Sequence, residues 1–553
     1  MANGAAVRVI DLYAGVGGWA VGFKLAGFEI AQSYEWWQPA ASTHRANSSS
    51  EVTVADIRTL DLNSLPQNID IVIGSPPCTQ FSYSNRGGSG DVTDGLIDLE
   101  RFLAVVEYLK PKAWAFENVP RVKRVLEHEL LPGGSLEKYA HLFGDANIEI
   151  FDMAEFGVPQ RRKRCIAGNF DFELLKSYST ISSKPTLGDV VDGLAEGRDP
   201  IYMASVQQDI LDNEPEEPLN WEEERFNRDM KVAHPVYNGM PFPDPLDRSS
   251  RTVTATCTRV SRESLVILDP SNNRYRRLSV RERASLQSFP VNFQFLGKSH
   301  AEKLKMIGNA IPPAFTYLVG EAIKGTLKDQ LSLPATINAA TVLTEASGIK
   351  TKPDNSGRTY PASRRFRFSI PNLRFKSGTR FELSNIDGPD AWGVGFYFGD
   401  SKRIHRRDFT VEAIETATSQ SAAELRNLIA STYLELETDT NLEGLDSLQD
   451  VWSHRGKGLH PFDLTDNLGD IVERTLASGS WQEADSVALR EFVLNLLFPT
   501  PKSERIAEQK ISKFLVEIAI GAIVAAFLNG KLSDTREPRS RRTKLFEKME
   551  RHA

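Results

Sequence analysis

The sequence predicts an α/β protein whose first part is built on a largely parallel sheet and whose second part is of mixed α+β character. Three observations carry this. From Val7 to about Gly168, short apolar runs of strand length alternate with helical segments, the pattern that produces parallel pairing. The polar motifs fall at the carboxyl ends of those runs, where such sheets place their chemistry. Beyond residue 363 alternating strands give way to helices, with no return of the first pattern. A chain of 553 residues also exceeds one ordinary domain.

The elements follow in order. Val7 to Leu12 is an apolar strand running into the glycine-rich turn Asp11-Leu12-Tyr13-Ala14-Gly15-Val16-Gly17-Gly18, with a helix from Gly17 to Leu25. Glu29 to Glu35 reads as a second strand and a helix follows from Gln38. Val52 to Asp56 and Ile69 to Gly74 add strands, and a helix over about Leu99 to Leu109 leads into the strand Ala113 to Glu117. Residues 196–247 are acidic by roughly three to one and proline-punctuated, which predicts a surface insertion with little core of its own. Order returns at Arg251 and ends in a helix over Ala314 to Lys324. The Thr, Ala, Ser, Pro and Gly content of 330–363 predicts a linker. Arg364 to Phe398 alternates as strands do, and helical spacing dominates from Thr410, as over Ala422 to Glu435 and Ser486 to Leu497. Phe514 to Leu528 is apolar but short, and Glu517 and Gly521 within it predict a buried helix, not a membrane span.

Composition narrows the function. Hydrophobic residues at 41% and charged residues at 25% exclude a wholly disordered chain. A net charge of -7 excludes a globally basic nucleic-acid binder, so a basic surface has to be local. Cys78, Cys165 and Cys257 cannot make a disulfide framework, and their separation does not suit a zinc ribbon. The first residues lack a basic and then apolar leader, which predicts a cytoplasmic protein with no membrane contact.

Several motifs point to chemistry. Glycines between a strand and a helix let the backbone approach a ligand, and Glu35 about 20 residues on suits a ribose. A turn of this kind serves any nucleoside cofactor, and equally a purely structural bend. Glu35 and Asp56 close successive strands, where acids bind ribose hydroxyls or an adenine amino group, or else cap turns. Gly74-Ser75-Pro76-Pro77-Cys78-Thr79-Gln80-Phe81-Ser82 sets a cysteine on a proline-stiffened polar loop, where packing alone explains it poorly. Glu117-Asn118-Val119 brings a carboxyl group to the same edge of the sheet. Gln160-Arg161-Arg162-Lys163-Arg164 brings cations, and arginines at alternate strand positions share a face, so Arg162 and Arg164 are expected to converge. Together these resemble a nucleophile with acid and electrostatic support.

In these residues, and in their order over about 7 to 325, the chain resembles the cytosine-C5 DNA methyltransferases. Asp11 to Gly18 resembles the family's cofactor loop, with Tyr13 where phenylalanine is usual. Glu35-Trp36 and Asp56-Ile57 resemble its second and third cofactor contacts. Ser75 to Cys78 is similar to its catalytic loop, Glu117 to Val119 to its acid motif, and Gln160, Arg162 and Arg164 to its Q-x-R-x-R pattern. Arg251 to Thr256 resembles the motif that follows target recognition. Ile307 to Pro313 resembles the closing motif, whose asparagine, here Asn309, returns to the cofactor.

The resemblance implies a Rossmann-like S-adenosylmethionine-dependent methyltransferase domain with a short recognition insertion, its catalytic core at 1–168 completed by 251–329 and the insertion at 169–250. The patterning beyond the linker at 330–363 adds a separate C-terminal α+β domain at 364–553. Cys78, Glu117, Arg162 and Arg164 are then catalytic. Asp11, Tyr13, Ala14, Gly15, Gly17, Gly18, Glu35, Trp36, Asp56, Ile57, Pro76 and Asn309 hold S-adenosylmethionine, with no metal. Gln80, Ser82, Asn118 and Gln160 touch substrate. Cysteine directly after paired prolines disfavours amino methylation, which puts an aromatic residue there, and hydride transfer leaves Cys78 and Asn309 unexplained. The implied substrate is cytosine in double-stranded DNA, in a bacterial or archaeal restriction-modification or phage-defence setting with a possible partner protein. The alternatives are a tRNA cytosine-C5 methyltransferase and an idle cofactor-binding DNA module. Between Lys350 and Arg407 basic residues outnumber acidic ones by roughly five to two, in runs interleaved with aromatics, so the C-terminal domain is a candidate for DNA or partner contact.

Overall fold

The computed structural model describes residues 6–77, 93–203, 210–232, 240–353, 360–375, 379–400, 403–498 and 511–550. The chain divides into two compact units, one of residues 1–233 and 239–356, the other of 234–238 and 357–553.

In the first unit seven strands form one sheet: β1 (Arg8–Leu12), β2 (Glu29–Glu35), β3 (Val52–Val54), β4 (Ile71–Gly74), β5 (Ala113–Asn118), β6 (Asn147–Asp152) and β7 (Lys163–Gly168). Their order is β3-β2-β1-β4-β5-β7-β6. All pairs among β1 to β5 are parallel, while β7 runs antiparallel to both β5 and β6. The chain moves outward from β1 through β2 to β3, then restarts beside β1 with β4. That reversal opens a crevice at the carboxyl ends of β1 and β4, the place where open α/β sheets bind ligands.

Both sheet faces are covered, which is why the strands are nearly continuous apolar runs. Val9, Ile71, Ile73, Ala113 and Ala115 pack on one side with Trp19 and Phe23 of α1 (Gly18–Leu25). Ile10, Leu12, Val72, Trp114 and Phe116 pack on the other with Leu99, Phe102 and Leu103. Helix α2 (Gln38–Ala46) follows β2, α3 (Thr93–Leu109) precedes β5 and α4 (Arg121–Glu129) follows it. The helix expected from Leu99 thus starts at Thr93. The rest of the unit holds α5 (Phe172–Tyr178), α6 (Leu187–Ala195), α7 (Trp221–Val232), the hairpin β8 (Val266–Leu268) and β9 (Tyr275–Arg277), α8 (Val280–Leu286), α9 (His300–Asn309) and α10 (Pro313–Lys324). Helix α10 lies on α1 so closely that a Cβ on Gly22 would sit 2.0 Å from Thr316 Oγ1. The end of the unit is thereby locked to its beginning.

Two expectations need correction. The acidic interval is not a bare surface insertion. Glu216 is buried and meets Arg277 Nε at 2.6 Å and His300 Nε2 at 2.9 Å. Against the burial that would raise it, the His300 hydrogen bond and the Arg277 charge hold its carboxyl below the usual range. Buried Glu223 takes both arms of Arg259, at 2.7 and 2.8 Å, and buried Asp244 meets Arg251 at 2.6 Å. The carboxylates are counter-ions to arginines that follow in the chain, so the charge excess of the interval alone overstates its exposure. The expected linker is also partly docked. Ser332 accepts from Tyr317 Oη at 2.8 Å, Ile337 O from the Met203 amide at 3.0 Å, and Thr344 Oγ1 donates to Ala46 O at 2.6 Å. Ala339 is buried among these contacts, small enough to enter the core that the flanking polar residues decorate.

The second unit is an antiparallel meander of β10 (Arg367–Arg374), β11 (Arg380–Ser384), β12 (Gly393–Asp400) and β13 (Arg403–Asp408), in that spatial order, with helices after it. The helix Leu515–Glu550 enters its core. By length and apolarity, Leu515 to Thr535 could cross a membrane. Here Ile518 to Leu528 are instead buried on all sides, and Gly521 lets the Phe381 ring of β11 lie against the helix backbone.

Candidate active site

The glycine turn after β1 is shaped by unusual backbone and unpaired charge. Gly15 and Gly17 have φ of 55° and 95°, left-handed values that glycine adopts freely. A side chain on Gly17 would strike the His44 ring, and one on Gly18 the Ile311 carbonyl at 2.1 Å, whereas Gly15 borders open space. Tyr13 is also left-handed, at φ 52°, and its buried hydroxyl donates to Asp98 Oδ1 at 3.2 Å. That acceptor accounts for a tyrosine in place of phenylalanine. The Ala14 amide donates to Tyr34 O at 3.0 Å, tying the turn to β2.

Carboxylates line this turn. Glu35 accepts from the Gly15 amide at 2.8 Å and the Trp37 amide at 2.7 Å, and its pKa is raised by burial despite those bonds. Asp11 is fully buried and, among the described residues, no donor makes a well-formed hydrogen bond to either oxygen, the Ala20 amide being the nearest to doing so. Burial pushes its carboxyl well above the usual range, the Glu35 charge adds to this, and only the Ala20 amide opposes it. Trp36 leaves its indole 65% exposed beside Glu35. Asp56 is exposed, with Oδ1 capping the Arg58 amide at 3.0 Å. Ile57 turns its side chain into the core, so only its backbone can meet a ligand. Asn309 is exposed at the end of α9, two residues before the Ile311 carbonyl that closes over Gly18.

The sheet edge expected to carry the chemistry lies beside it. Trp19 Nε1 donates to Ser75 Oγ at 3.0 Å, and Asn118 Nδ2 to Pro76 O at 3.1 Å. Cys78, Gln80 and Ser82 lie outside the described residues. Glu117, at the end of β5, meets Arg164 Nε at 2.7 Å. The antiparallel register sets Cys165 opposite Asn118, so Arg164 projects past the end of β5 and reaches back to Glu117. Cys165 itself is packed, its thiol pushed up to about 12 by burial and the nearby Glu117 charge.

Arg162 does not share that geometry, because β7 begins only at Lys163. It is buried and donates to Val253 O at 3.3 Å and Gly308 O at 3.2 Å. Gln160 is buried too: its Oε1 accepts from the Val253 amide at 2.7 Å and its Nε2 donates to Gln287 Oε1 at 2.8 Å. Gln287 in turn donates to Ile307 O at 2.7 Å and Ala310 O at 3.2 Å. Gln160, Asn118 and Arg162 therefore bond to backbone segments, where substrate contact was expected of Gln160 and Asn118 and convergence with Arg164 of Arg162. Gln287, Arg58 and Asp98 escaped the sequence reading. The one signal for Gln287 was an amide among the apolar residues Ala284, Leu286 and Phe289, at the end of a helix.

An unpaired buried carboxylate beside an open glycine cradle, flanked by an exposed indole and exposed carboxylate, fits a nucleoside ligand carrying positive charge. S-adenosylmethionine meets that description, with a sulfonium and an ammonium group.

Residues 7–325 match the family model of the C-5 cytosine-specific DNA methylases. The chain belongs to that family. This methylase is accordingly a DNA (cytosine-5-)-methyltransferase of an S-adenosylmethionine-dependent family. It is similar to the Type II methyltransferase M.NgoPII of Neisseria gonorrhoeae, with 28% identity over 350 residues, covering 58% of this chain and 96% of that one. It is also similar to the Type II methyltransferase M1.HphI of Haemophilus parahaemolyticus, with 30% identity over 331 residues, covering 57% and 86%. Among solved structures, the S. pombe Dnmt2 methyltransferase covers 58% of the methylase and is itself covered to 99%, at 16% identity and a TM-score of 0.41. Residues 357–553 of the methylase, the bulk of its second unit, lie beyond the family match.

Proposed function

We propose that this methylase transfers a methyl group from S-adenosylmethionine to C5 of cytosine in duplex DNA through a transient bond between Cys78 Sγ and C6 of the ring. The observation that carries the reading is the Glu117–Arg164 pair at 2.7 Å, on the strand end whose next residue, Asn118, grips Pro76 two positions before Cys78. Carboxyl and guanidinium thus share the edge of the sheet at which the chain turns toward Cys78.

Cytosine C5 is a poor nucleophile until something adds to C6. The Cys78 thiolate forms the C6–S bond, and the ring's electron pair moves toward C5. Glu117 hydrogen-bonds N3 and holds the proton that neutralises the ring there, an effect typically worth about a hundredfold to ten-thousandfold. Arg164 fixes one Glu117 oxygen and leaves the other to face the base. S-adenosylmethionine, when bound, supplies a methyl group on positively charged sulfur that the nucleophilic C5 accepts. Loss of the C5 proton to water re-forms the C5–C6 double bond and expels Cys78 as thiolate, while the N3 proton returns to Glu117, leaving 5-methylcytosine and S-adenosylhomocysteine. Because C6 is stacked inside a duplex, the base has to leave the helix to reach Cys78.

The test uses duplex DNA carrying 5-fluorocytosine, in which the C5 substituent cannot be lost as a proton. A covalent protein–DNA complex formed with S-adenosylmethionine, absent in Cys78→Ala, supports the reading; no complex from a cofactor-loaded protein on DNA that it methylates rejects it. Cys78→Ala is expected to keep cofactor binding and lose methyl transfer.

The similarity to Type II methyltransferases supports DNA over tRNA and a role in restriction-modification. Labelled methyl transfer to duplex DNA against tRNA separates the two substrates. For the second unit we assign DNA or partner contact, though much of its basic charge is internally matched. Arg364 stacks 3.5 Å from the centres of both Tyr360 and Trp452, Arg367 and Arg380 share Glu382, and Arg407 donates to Leu497 O at 3.0 Å. Removing residues from 357 onward, which spares the docked segment, lowers the salt dependence of DNA binding if this unit neutralises phosphates.

A further inference from the structure

Two glutamines with no exposed surface, Gln160 and Gln287, join the segment that follows the acidic interval to the segment that roofs the cofactor turn. The Val253 amide donates to Gln160 Oε1 at 2.7 Å. Gln160 Nε2 donates to Gln287 Oε1 at 2.8 Å and to Leu286 O at 3.1 Å. Gln287 Nε2 in turn donates to Ile307 O at 2.7 Å and Ala310 O at 3.2 Å. Arg162 runs alongside, with Nη1 on Val253 O and Nη2 on Gly308 O. Three of the four backbone carbonyls from Ile307 to Ala310 are thus held by these side chains, on both sides of Asn309. The two segments also touch directly, since a Cβ on Gly308 would lie 2.2 Å from the Ala255 nitrogen. Immediately after Ala310 comes the Ile311 carbonyl that closes over Gly18.

The relay has a direction. A backbone N–H only donates, so Val253 has to face the oxygen of Gln160. The Gln160 NH2 group then points to Gln287, which answers with its own oxygen and so turns its NH2 group onto the two carbonyls. Neither amide can flip by itself without setting donor against donor or acceptor against acceptor, and in a buried network such mismatches are costly. Finishing α9 asks for less than this. The last carbonyls of a helix accept from any donor within reach. A cap accounts for Gln287 alone, and leaves unexplained why a second buried amide fixes which end of Gln287 faces them.

We infer that Gln160 and Gln287 are positioning residues for the cofactor: through them the backbone at Val253 orients Asn309 and the Ile311 carbonyl over the glycine turn. The inference rests on the reading of that turn as the S-adenosylmethionine site. Neither glutamine touches the reacting atoms, and their hydrogen bonds lead to the roof of the turn and not to Glu117 or Arg164.

The experiment compares the full chain with Gln287→Met, Gln160→Met and the double variant, methionine keeping the length while removing the polar end. Three quantities are measured: Kd for S-adenosylhomocysteine by calorimetry well below Tm, kcat on unmethylated mixed-sequence duplex DNA at saturating S-adenosylmethionine, and Tm. Loss of a hydrogen bond typically changes an equilibrium constant by about three- to tenfold, and each single variant is expected to raise Kd by that factor. The kcat is expected to stay within about twofold of the parent, since the roof of the turn holds the cofactor and not the reacting base. Because both glutamines act through one relay, the double variant should bind no more than about twofold more weakly than the weaker single variant, where independent sites would multiply. A purely structural role lowers Tm and leaves Kd of the folded protein near the parent value. The inference is overturned if Kd rises by less than about threefold in either single variant, or if the double variant exceeds its limit. It is equally overturned if kcat falls by the same factor as the affinity. Should Gln160→Met not fold, because the Val253 amide loses its acceptor, Gln160→Glu takes its place: a carboxylate accepts from that amide and cannot donate to Gln287. Should Gln287→Met not fold, Kd of the Gln160 variant decides alone. A parent that binds no S-adenosylhomocysteine overturns the cofactor reading, and this inference with it. A parent that binds it, with indifferent variants, overturns the inference alone.

Discussion

Arg164 Nε lies 2.7 Å from Glu117 Oε1, with the two side chains only 15% and 9% exposed. The pair links an antiparallel strand to the end of a parallel one, and each partner is the other's main neutralising charge. Arg164→Ala leaves Glu117 poorly solvated and unpaired, which is expected to cost about 3 kcal/mol in stability. It should also lower kcat by about a hundredfold or more, the usual result of removing a charged group from a reacting centre. Urea unfolding and single-turnover methylation measure the two effects separately, and Arg164→Lys should recover more of the stability than of the rate.

Asp11 gives an expected pH dependence. Its folded-state pKa lies above the ordinary carboxyl value near 3.9. The folded protein therefore holds this proton more tightly than the unfolded chain. The resulting contribution is fully present below pH 3.9 and is lost as pH rises through the folded pKa. Asp11→Asn should raise the Tm of the ligand-free protein near pH 8, with the gain shrinking toward pH 5. The same change should weaken S-adenosylhomocysteine binding by about tenfold or more, since it removes a charged hydrogen-bonding partner. Calorimetry and thermal melts at matched pH check both signs.

His44 supplies the opposite sign. Burial, with the charges of Lys24 and Arg45, lowers its pKa to about 3, and neither ring nitrogen has a partner among the described residues. The unfolded chain binds this proton below pH 6.5 and the folded protein does not. Stability should therefore decline by up to about 1.4 kcal/mol per pH unit between roughly 6.5 and 3. His44→Phe keeps a ring against Gly17 and should flatten that limb of the stability curve. An unchanged slope between pH 6.5 and 5 refutes the assignment.

The buried carboxylates of the acidic interval should separate sharply from its exposed ones. Glu216→Ala strips a partner from Arg277 and His300 and is expected to cost about 3–5 kcal/mol. Glu214→Ala removes an acid whose pair with Lys350 is 67% exposed on the Glu214 side, and should shift stability by less than about 0.5 kcal/mol. Equilibrium urea unfolding of the two variants tests the contrast.

What could be read from the sequence was set by short-range constraint. Gly15 and Gly17 were legible because only a left-handed turn after a strand needs that spacing, and Glu35 because it ends the next strand on the same side. The core elements followed from their apolar spacing, down to the helix Ser486–Leu497. What escaped depends on partners far away in sequence. Arg162 and Arg164 share a spacing, yet their roles diverge because β7 begins between them, a register fixed by pairing with β5 and β6. Glu216 looked solvated because Arg277, its partner, is 61 residues on. Asp98 stands just before the helix read from Leu99, with nothing nearby to say that Tyr13 and Arg58 would meet it.

The apolar helix in the second unit has a bearing on how the protein is made. It fills the space beneath β11 and β12, yet it follows every strand of that unit by more than a hundred residues. At about 5–20 residues per second of synthesis, the sheet's phenylalanines wait on the order of ten seconds for the helix that covers them. During that interval the meander is an open template, exposed to any chaperone or neighbouring nascent chain. Growth temperature and expression rate are thus expected to govern the yield of this unit.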